Sequence, residues 1–406
     1  MLELANAWAA SRPAYIVLLF VLFIVPRLLQ RFRVPTAITA LAFGAAAGMG
    51  LGWFREDNTV DLLSTLGVVA LFVFAGLDVD LVELRRERRP LVEHVAVSVA
   101  SLAAISCASV WLWHQAPRVS VLVALALMTP STGFILDSID SWGLSDRERF
   151  RVRSKAIATE LVALLVLLVT LQSTSLTRLG LSTAALVAMV VLLPIVFRWF
   201  ASAVIPYAPK SEFGFVMLVA VVCSVITRSL GVYYLVGAFV VGMAARRLRD
   251  TIPALTSERL LGSVESFASL FVPFYFFHAG LELTPEHFSL AALATGAVFL
   301  LGAIPLRLGL IIAHGAMRRE PAATSLRVAI PLMPTTVFTL VLATILRDSL
   351  HAPPYIFGGL VVYTLVNTMI PGFAMPKTTP SFDDELLLGD VASFTDARNY
   401  GDAPPA

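Results

Sequence analysis

Apolar runs close to the length of a bilayer crossing repeat from residue 13 to residue 373, separated only by short polar turns, and no other feature restricts the fold as much. A hydrocarbon core about 30 Å thick is crossed by roughly 20 helical residues. Backbone groups inside it must be satisfied within the segment, so such runs are expected to be helices. Thirteen are predicted, over approximately 13–29, 35–53, 60–78, 91–114, 119–139, 155–173, 181–205, 212–230, 232–246, 264–282, 289–316, 325–346 and 354–373. The ninth is short and the tenth contains Pro273, so the pattern supports these two least. With 58% of residues hydrophobic and only 14% charged, the composition lies far from that of soluble domains, and the predicted class is an all-α polytopic membrane protein.

A net charge of +2 argues for no nucleic-acid partner, and the placement of the basic residues says more than their sum. Alternate connections hold Arg27, Arg31 and Arg33, then Arg147, Arg149, Arg151, Arg153 and Lys155, and later Arg318, Arg319 and Arg327. The intervening ones hold single arginines such as Arg55, Arg118 and Arg178. Short cytoplasmic loops carry the excess of Lys and Arg, so the N-terminus is expected outside and the C-terminus in the cytoplasm of a bacterial inner or plasma membrane. The first run lacks a basic leader and is read as a transmembrane helix, not a cleaved signal. Residues 376–406 are polar, acidic and Pro-containing, the composition of a disordered cytoplasmic tail. Cys107 and Cys223 lie inside apolar runs as packing residues, with no zinc or redox spacing. No Walker, G-x-S-x-G or H-E-x-x-H motif is present, so no cofactor is expected and neither ATP-driven pumping nor hydrolysis has machinery here.

Two runs are interrupted. The fifth carries Thr129-Pro130-Ser131-Thr132-Gly133 about halfway along, where proline removes a helix donor and glycine weakens the adjacent turn. The twelfth, RVAIPLMPTTVFTLVLATIL, is expected to break at Pro331 and again at Pro334-Thr335-Thr336. The two lie seven runs apart. An odd offset inverts one copy, so runs one to six and eight to thirteen are predicted to form inverted repeats, with the seventh between them. Irregular backbone at membrane depth is tolerated only against protein or water, so the breaks mark a cavity near the midplane.

Glu160 is the only ionisable residue in AIATELVALLVLLVTLQ, and an intramembrane acid is a functional residue by default. Water-poor surroundings favour the neutral carboxyl, which lets one group gain and lose a proton near neutral pH. Once ionised, its oxygens are hard ligands for a small cation. Proton and cation then compete for one site, which is enough to couple two fluxes. Thr159 can offer a hydroxyl oxygen to the cation or bond its own helix backbone. The hydroxyls of Thr129, Ser131 and Thr132 at the break are further candidate ligands. Arg307, well inside LGAIPLRLGLIIAHG, keeps its charge and cannot carry protons. It is expected to neutralise the carbonyl ends of the half-helices or to pair with Glu160. Asp137 and Asp140 follow the break by one and two turns, as a cation-attracting funnel or as solvated acids. His278 and His314 read as packing or interfacial residues rather than proton relays, and Gly44, Gly48 and Gly52 as a close helix contact.

In order and spacing the chain resembles the monovalent cation:proton antiporter superfamily, and within it the Kef-type sodium or potassium/proton exchangers. The likeness runs from about Leu28 to Phe373. It rests on RFRVPTAITALAFGAAAG, LLSTLGVVALFVFAGLDVDL, TPSTGFILDSIDSWGL, YYLVGAFVVGMAA, FVPFYFFHAGLELT and LMPTTVFTLVLATIL. The resemblance implies a homodimer whose panel helices, about 13–78 and 212–282, flank core helices at about 91–173 and 289–373, with a linker helix at about 181–205. In that core two broken helices cross beside the ion-binding acid, and the core moves like an elevator. Glu160 matches the final acid of the family's paired ion-binding residues, Thr159 its first member and Arg307 the basic residue of the core. The pair here is Thr-Glu, where the family shows Asn-Asp, Asp-Asp or Gln-Asp. The implied function is exchange of Na+ or K+, bound at Glu160, for H+. With one carboxylate and no second acid at position 159, the exchange is expected to be electroneutral. A sodium-coupled solute symporter, and a cation channel or sensor on the same scaffold, stay open as alternatives.

Overall fold

The computed structural model describes residues 12–79, 88–172, 175–208, 210–230, 235–247 and 258–376. The tail expected over 377–406 lies outside the described residues. All regular structure in the described part is helical. In chain order the α-helices are α1 (Arg12–Phe23), α2 (Val25–Leu29), α3 (Thr36–Ala45), α4 (Asn58–Leu77), α5 (Arg88–Trp113), α6 (Pro117–Met128), α7 (Thr132–Ser138) and α8 (Asp146–Gln172). They continue as α9 (Leu176–Ala203), α10 (Glu212–Ser229), α11 (Leu235–Arg247), α12 (Glu258–Leu281), α13 (Leu290–Met317), α14 (Ala322–Ala329), α15 (Thr336–Asp348) and α16 (Pro354–Ala374).

Ten of the described helices are long and apolar enough to cross a bilayer, and the pair Ala322–Leu332 with Thr336–Asp348, bent by 47°, makes an eleventh. Two of the thirteen predicted runs fall on shorter helices. One is Thr36–Leu51, whose end is a π-turn over Ala46–Leu51 stopped by Gly52 in the left-handed region at φ 68°. The other is α11, which has 13 residues and begins where residues 231–234 lie outside the described set. The tenth run stays one helix through Pro273, as transmembrane helices allow when neighbours satisfy the freed carbonyl. Leu176, Leu181, Val191, Ile195 and Trp199 of α9 are exposed. A patch that large is unusual on a protein surrounded by water and ordinary on one surrounded by lipid. The chain is a multi-pass integral membrane protein.

Helices α3, α4, α11 and α12 pack closely against one another, because glycine brings their backbones together. Gly44 lies against the backbone of Phe277 and Gly280, Gly48 against Leu281, Gly67 against Phe271, and Gly76 against Phe239 and Gly242. Small residues allow this approach where no hydrophobic force drives helices together. Gly52 departs from the expected contact: nothing lies within 4 Å of where its Cβ would be, and it serves as the left-handed stop instead. At Gly44 a Cβ would overlap the Phe277 carbonyl. Gly44→Val is therefore expected to wedge α3 off α12 and to cost ~1–3 kcal/mol or more. Thermal unfolding in detergent should show a lowered midpoint, whereas Gly50→Ala, with open space at that position, should melt like the wild type.

A second set, α5, α6, α8 and α13 to α16, packs around the two interruptions. Helices α6 and α7 are separated at residues 129–131, and α14 and α15 at 333–335 beyond the short turn Ile330–Leu332. These two gaps position the site.

Candidate functional site

The interruptions touch. Thr129 and Ser131 are extended, with ψ of 116° and 94°. The Thr129 amide still closes α6 on Leu125 O and Ser131 O still opens α7 on the Ile135 amide, but the Ser131 amide leaves the helical ladder and needs another partner. The Ser131 amide donates to Pro334 O at 2.8 Å, and the Val337 amide to Ser131 Oγ at 3.4 Å. Thr339 Oγ1 lies 2.7 Å from both Ala126 O and Thr335 Oγ1. Asn367 Nδ2 donates to Thr335 Oγ1 at 2.9 Å, and the hydroxyls of Thr336 and Thr368 meet at 2.6 Å. Thr335, Thr336 and Asn367 are fully buried. This hydroxyl and amide network gives the exposed backbone of each break a partner on the other helix or on α16.

Glu160, in the middle of α8, is 2% exposed. Its carboxyl faces the backbone N–H and hydroxyl of Thr132, the first residue of α7. A helix N-terminus presents free N–H groups and favours negative charge. Glu160 Oε2 nevertheless lacks a hydrogen-bond partner, as do Thr129 Oγ1 and Thr132 Oγ1. A buried polar atom without a partner costs about 1–3 kcal/mol, so three around one break are an expensive arrangement to keep. Thr159 turns away from them. Its hydroxyl donates to Lys155 O at 2.9 Å and lies 3.1 Å from His94 Nε2, so the Thr-Glu pair is divided between two faces. Adjacent positions on a helix point about 100° apart.

Arg307, 4% exposed in α13, forms no ion pair with Glu160 among the described residues. Its Nη1 donates to Met333 O at 2.8 Å and to Tyr363 Oη at 3.0 Å, and its Nη2 donates to Leu332 O. Tyr363 in turn donates to Leu127 O at 2.7 Å. One guanidinium thus serves the carbonyl ends that precede both breaks, directly in one case and through a phenol in the other. Two half-helices joined at their breaks, a buried acid at the start of one half and a cation spread over carbonyl ends are features that intramembrane ion sites have in common. A family model for "Sodium/hydrogen exchanger, transmembrane" matches residues 17–379. The chain belongs to the sodium/hydrogen exchanger family.

Relatives of this exchanger-family chain include the Na(+)/H(+) antiporter NhaS5 of Synechocystis sp., 28% identical over 66% of this chain and 39% of the relative. The Na(+)/H(+) antiporter of Enterococcus hirae is 24% identical over 64% of this chain and 70% of its own length. The match thus spans about two fifths of the cyanobacterial relative. Among solved structures, the sodium proton antiporter MjNhaP1 of Methanocaldococcus jannaschii at pH 8 superposes with a TM-score of 0.67 at 14% identity, over 89% of this chain and 95% of that one. At that identity the likeness establishes a shared fold.

Elsewhere in the exchanger-family chain, the side chain of Asp137 lies outside the described residues. Asp140, 79% exposed, is paired with Arg149, so its charge is partly taken before it reaches the break. His278 approaches Asp61 at 3.7 Å in the glycine-packed set. A cavity of about 270 Å³ runs between the two helix sets, bordered by Arg27, Gln30 and Glu265 at one part and by Gly133, Phe134 and Val337 near the breaks. Sequence reasoning missed His94, Tyr363, Asn367 and Glu265. For the first three a signal existed, since each is a polar residue inside an apolar run, as Glu160 is.

Proposed function

We propose that this chain is a secondary active antiporter that exchanges Na+ or K+ for H+ by alternating access, with the two competing for Glu160. The deciding feature is the trio of buried oxygens without partners: Glu160 Oε2, Thr129 Oγ1 and Thr132 Oγ1. Ionised, the acid and the two hydroxyls are hard oxygen donors for an alkali cation. Protonated, Glu160 gives one of them a donor. Among the described residues no group of three His, Cys, Asp or Glu side chains could hold a metal ion, and a site with one carboxylate and neutral oxygens suits a monovalent substrate. Arg307 supports the same reading, because its donors are spent on carbonyls and leave Glu160 free to pair with cargo.

One titratable carboxylate gives one cation for one proton, hence electroneutral exchange. The glycine-packed helices at about 13–78 and 212–282 act as a rigid panel and homodimer interface. The helices at about 91–173 and 289–373 carry the site across as a moving core, linked at about 181–205. Inverted repeats, an outer N-terminus and a cytoplasmic C-terminus in a bacterial inner or plasma membrane complete the arrangement. The cavity lined by Glu265 is the route of the cation to the breaks. The ions it moves leave chemically unchanged, so this reading makes the chain a transporter and not an enzyme.

In proteoliposomes holding the full chain, an imposed Na+ or K+ gradient should drive proton movement seen by a pH dye, with no need for an ion shunt. No cation-dependent proton movement would overturn the exchanger reading. A membrane potential built up by exchange would overturn the one-to-one stoichiometry.

A further inference from the structure

Away from the breaks, the first turns of α8, the end of α13 and the start of α14 enclose a cavity of about 600 Å³ that neither ion site nor cation route uses. Arg147, Arg151, Lys155, Arg318 and Arg319 line it against only two acids, Glu148 and Glu320. Both acids are already taken. Glu148 accepts from Arg327 at 2.8 Å and from the Ser145 amide at 2.9 Å, and Glu320 is paired with Arg151 at 2.8 Å. Arg318 is paired in turn with Glu93 at 2.9 Å. Among the described residues Arg147, Lys155 and Arg319 form no ion pair.

Membrane topology accounts for basic residues at this end of the helices, but asks only that they stand in the loops. Three unpaired charges converging on one concave space are a further feature, since they repel one another until an anion enters. Two neutral groups on the same wall add donors. Ser325 lines the cavity, is 3% exposed, and its Oγ has no hydrogen-bond partner, a costly condition for a buried hydroxyl. Gly315 gives that hydroxyl its room, because a Cβ there would overlap Ser325 Oγ. Helix α14 opens on Pro321 with no side-chain cap, so the amides of its first turn have no partner within the helix. Pro321 and Thr324 of that turn border the same cavity, and a helix start of this kind favours negative charge.

The donors define the ligand. Guanidinium forks match an anion with several oxygens, and an ammonium adds a compact point charge. A phosphate monoester carries about −1.5 to −2 charges near pH 7 on three acceptor oxygens, whereas a carboxylate offers one charge and two oxygens. Three unpaired cations suit the phosphate. The volume also falls within the range of about 300–1,000 Å³ common to small-molecule sites, which leaves space for the organic group that bears the phosphate.

We propose that this cavity binds a phosphate-bearing anion, held by Arg147, Lys155 and Arg319 together with Ser325 and the first turn of α14. The phosphate belongs either to a soluble ester or to a lipid headgroup, two sources with one chemistry. Bound there, it ties together three elements of the ion site: α8, which carries Glu160, α13, which carries Arg307, and α14, which leads into the second break. Lys155 stands roughly 7.5 Å along α8 from Glu160 at the rise of an α-helix. Binding here does not depend on exchange at Glu160.

The test is thermal unfolding of the full chain in detergent, titrated with sodium phosphate and with glycerol 3-phosphate against sodium chloride at matched ionic strength. The wild-type midpoint is expected to rise by a few degrees along a saturating curve with the phosphates and not with chloride. Lys155→Gln combined with Arg319→Gln should raise the concentration for half of that rise tenfold or more. Should the double variant not fold, Arg147→Gln, at an exposed position, should raise it threefold or more. Nanodiscs separate the two sources. A rise with glycerol 3-phosphate in phosphatidylcholine discs assigns a soluble ester, and a rise only on adding phosphatidic acid, lost in the variants, assigns a headgroup. No rise from the soluble phosphates or from phosphatidic acid, a rise that chloride equals, or one that the variants leave unchanged would overturn the site. Absence of exchange in proteoliposomes would overturn the exchanger reading and leave this result standing.

Discussion

Replacing Glu160 with glutamine is expected to bring cation-driven proton movement down to the level of protein-free vesicles while leaving the protein at least as stable. Glutamine matches glutamate in size but cannot ionise, so neither cargo has a charge to bind. Tracer Na+/Na+ exchange at equal pH should vanish as well, since that exchange needs the same charge and no proton. Stability should not suffer, because the carboxyl in place now has an oxygen without a partner beside two hydroxyls in the same condition. The new amide hydrogens can donate to Thr129 or Thr132, and a hydrogen bond gained there is worth about 1 kcal/mol. Glu160→Asp keeps the ionisable group but draws it back by one methylene from the amide and hydroxyl of Thr132. It should retain exchange with an altered preference between Na+ and K+. The measurements are dye-reported proton flux and thermal unfolding on the same preparations, and exchange persisting in Glu160→Gln would remove this residue from the mechanism.

What could be anticipated about this site divides along a physical line. Periodicity and length reveal segments, so the bilayer-length runs were legible, as were both interruptions. Pro130 and Pro334 stand beside Ser and Thr residues that favour helix ends, whereas Pro273, without such neighbours, leaves its helix intact. Charge in an apolar run is equally conspicuous, which singled out Glu160 and Arg307. The directions of side chains were hidden. Thr159 adjoins Glu160 in sequence yet faces His94, since a helix turns by about 100° at each residue. Tyr363 and Asn367 stand out as polar residues in an apolar run, but no local pattern tells that from α16 they meet Leu127 O, more than 200 residues away, and Thr335 Oγ1. Asp140 shows the opposite case. Its position after the break suggested a funnel, but Arg149, nine residues on, takes up its charge. The run expected over about 35–53 forms the apolar helix Thr36–Leu51, and its ending in a π-turn and a left-handed glycine is a detail that length does not reveal.

Removing Arg307 should have the largest effect on the fold itself. Its guanidinium donates to Met333 O, Leu332 O and Tyr363 Oη, and Tyr363 donates onward to Leu127 O. The carbonyl ends of two helix segments therefore converge on one cation. Arg307→Ala strands those acceptors in a dry interior at about 1–3 kcal/mol each, a sum comparable with a stability of about 5–15 kcal/mol for a typical protein. Little folded protein is expected from that variant. Arg307→Lys keeps the charge but not the planar fork that spans two carbonyls and a phenol, so it should fold with a lowered unfolding midpoint and slowed exchange. Tyr363→Phe removes the hydroxyl that accepts from Arg307 and donates to Leu127 O, while Arg307 keeps both carbonyls, and should cost about 1–2 kcal/mol. If the phenol works through the arginine, the double variant Arg307→Lys with Tyr363→Phe should lose less than the two single losses combined. Full additivity would mean that the two half-helices are tied independently. Arg307→Ala melting at the wild-type temperature would be more serious, since the freedom of Glu160 to pair with cargo depends on this cation being held elsewhere.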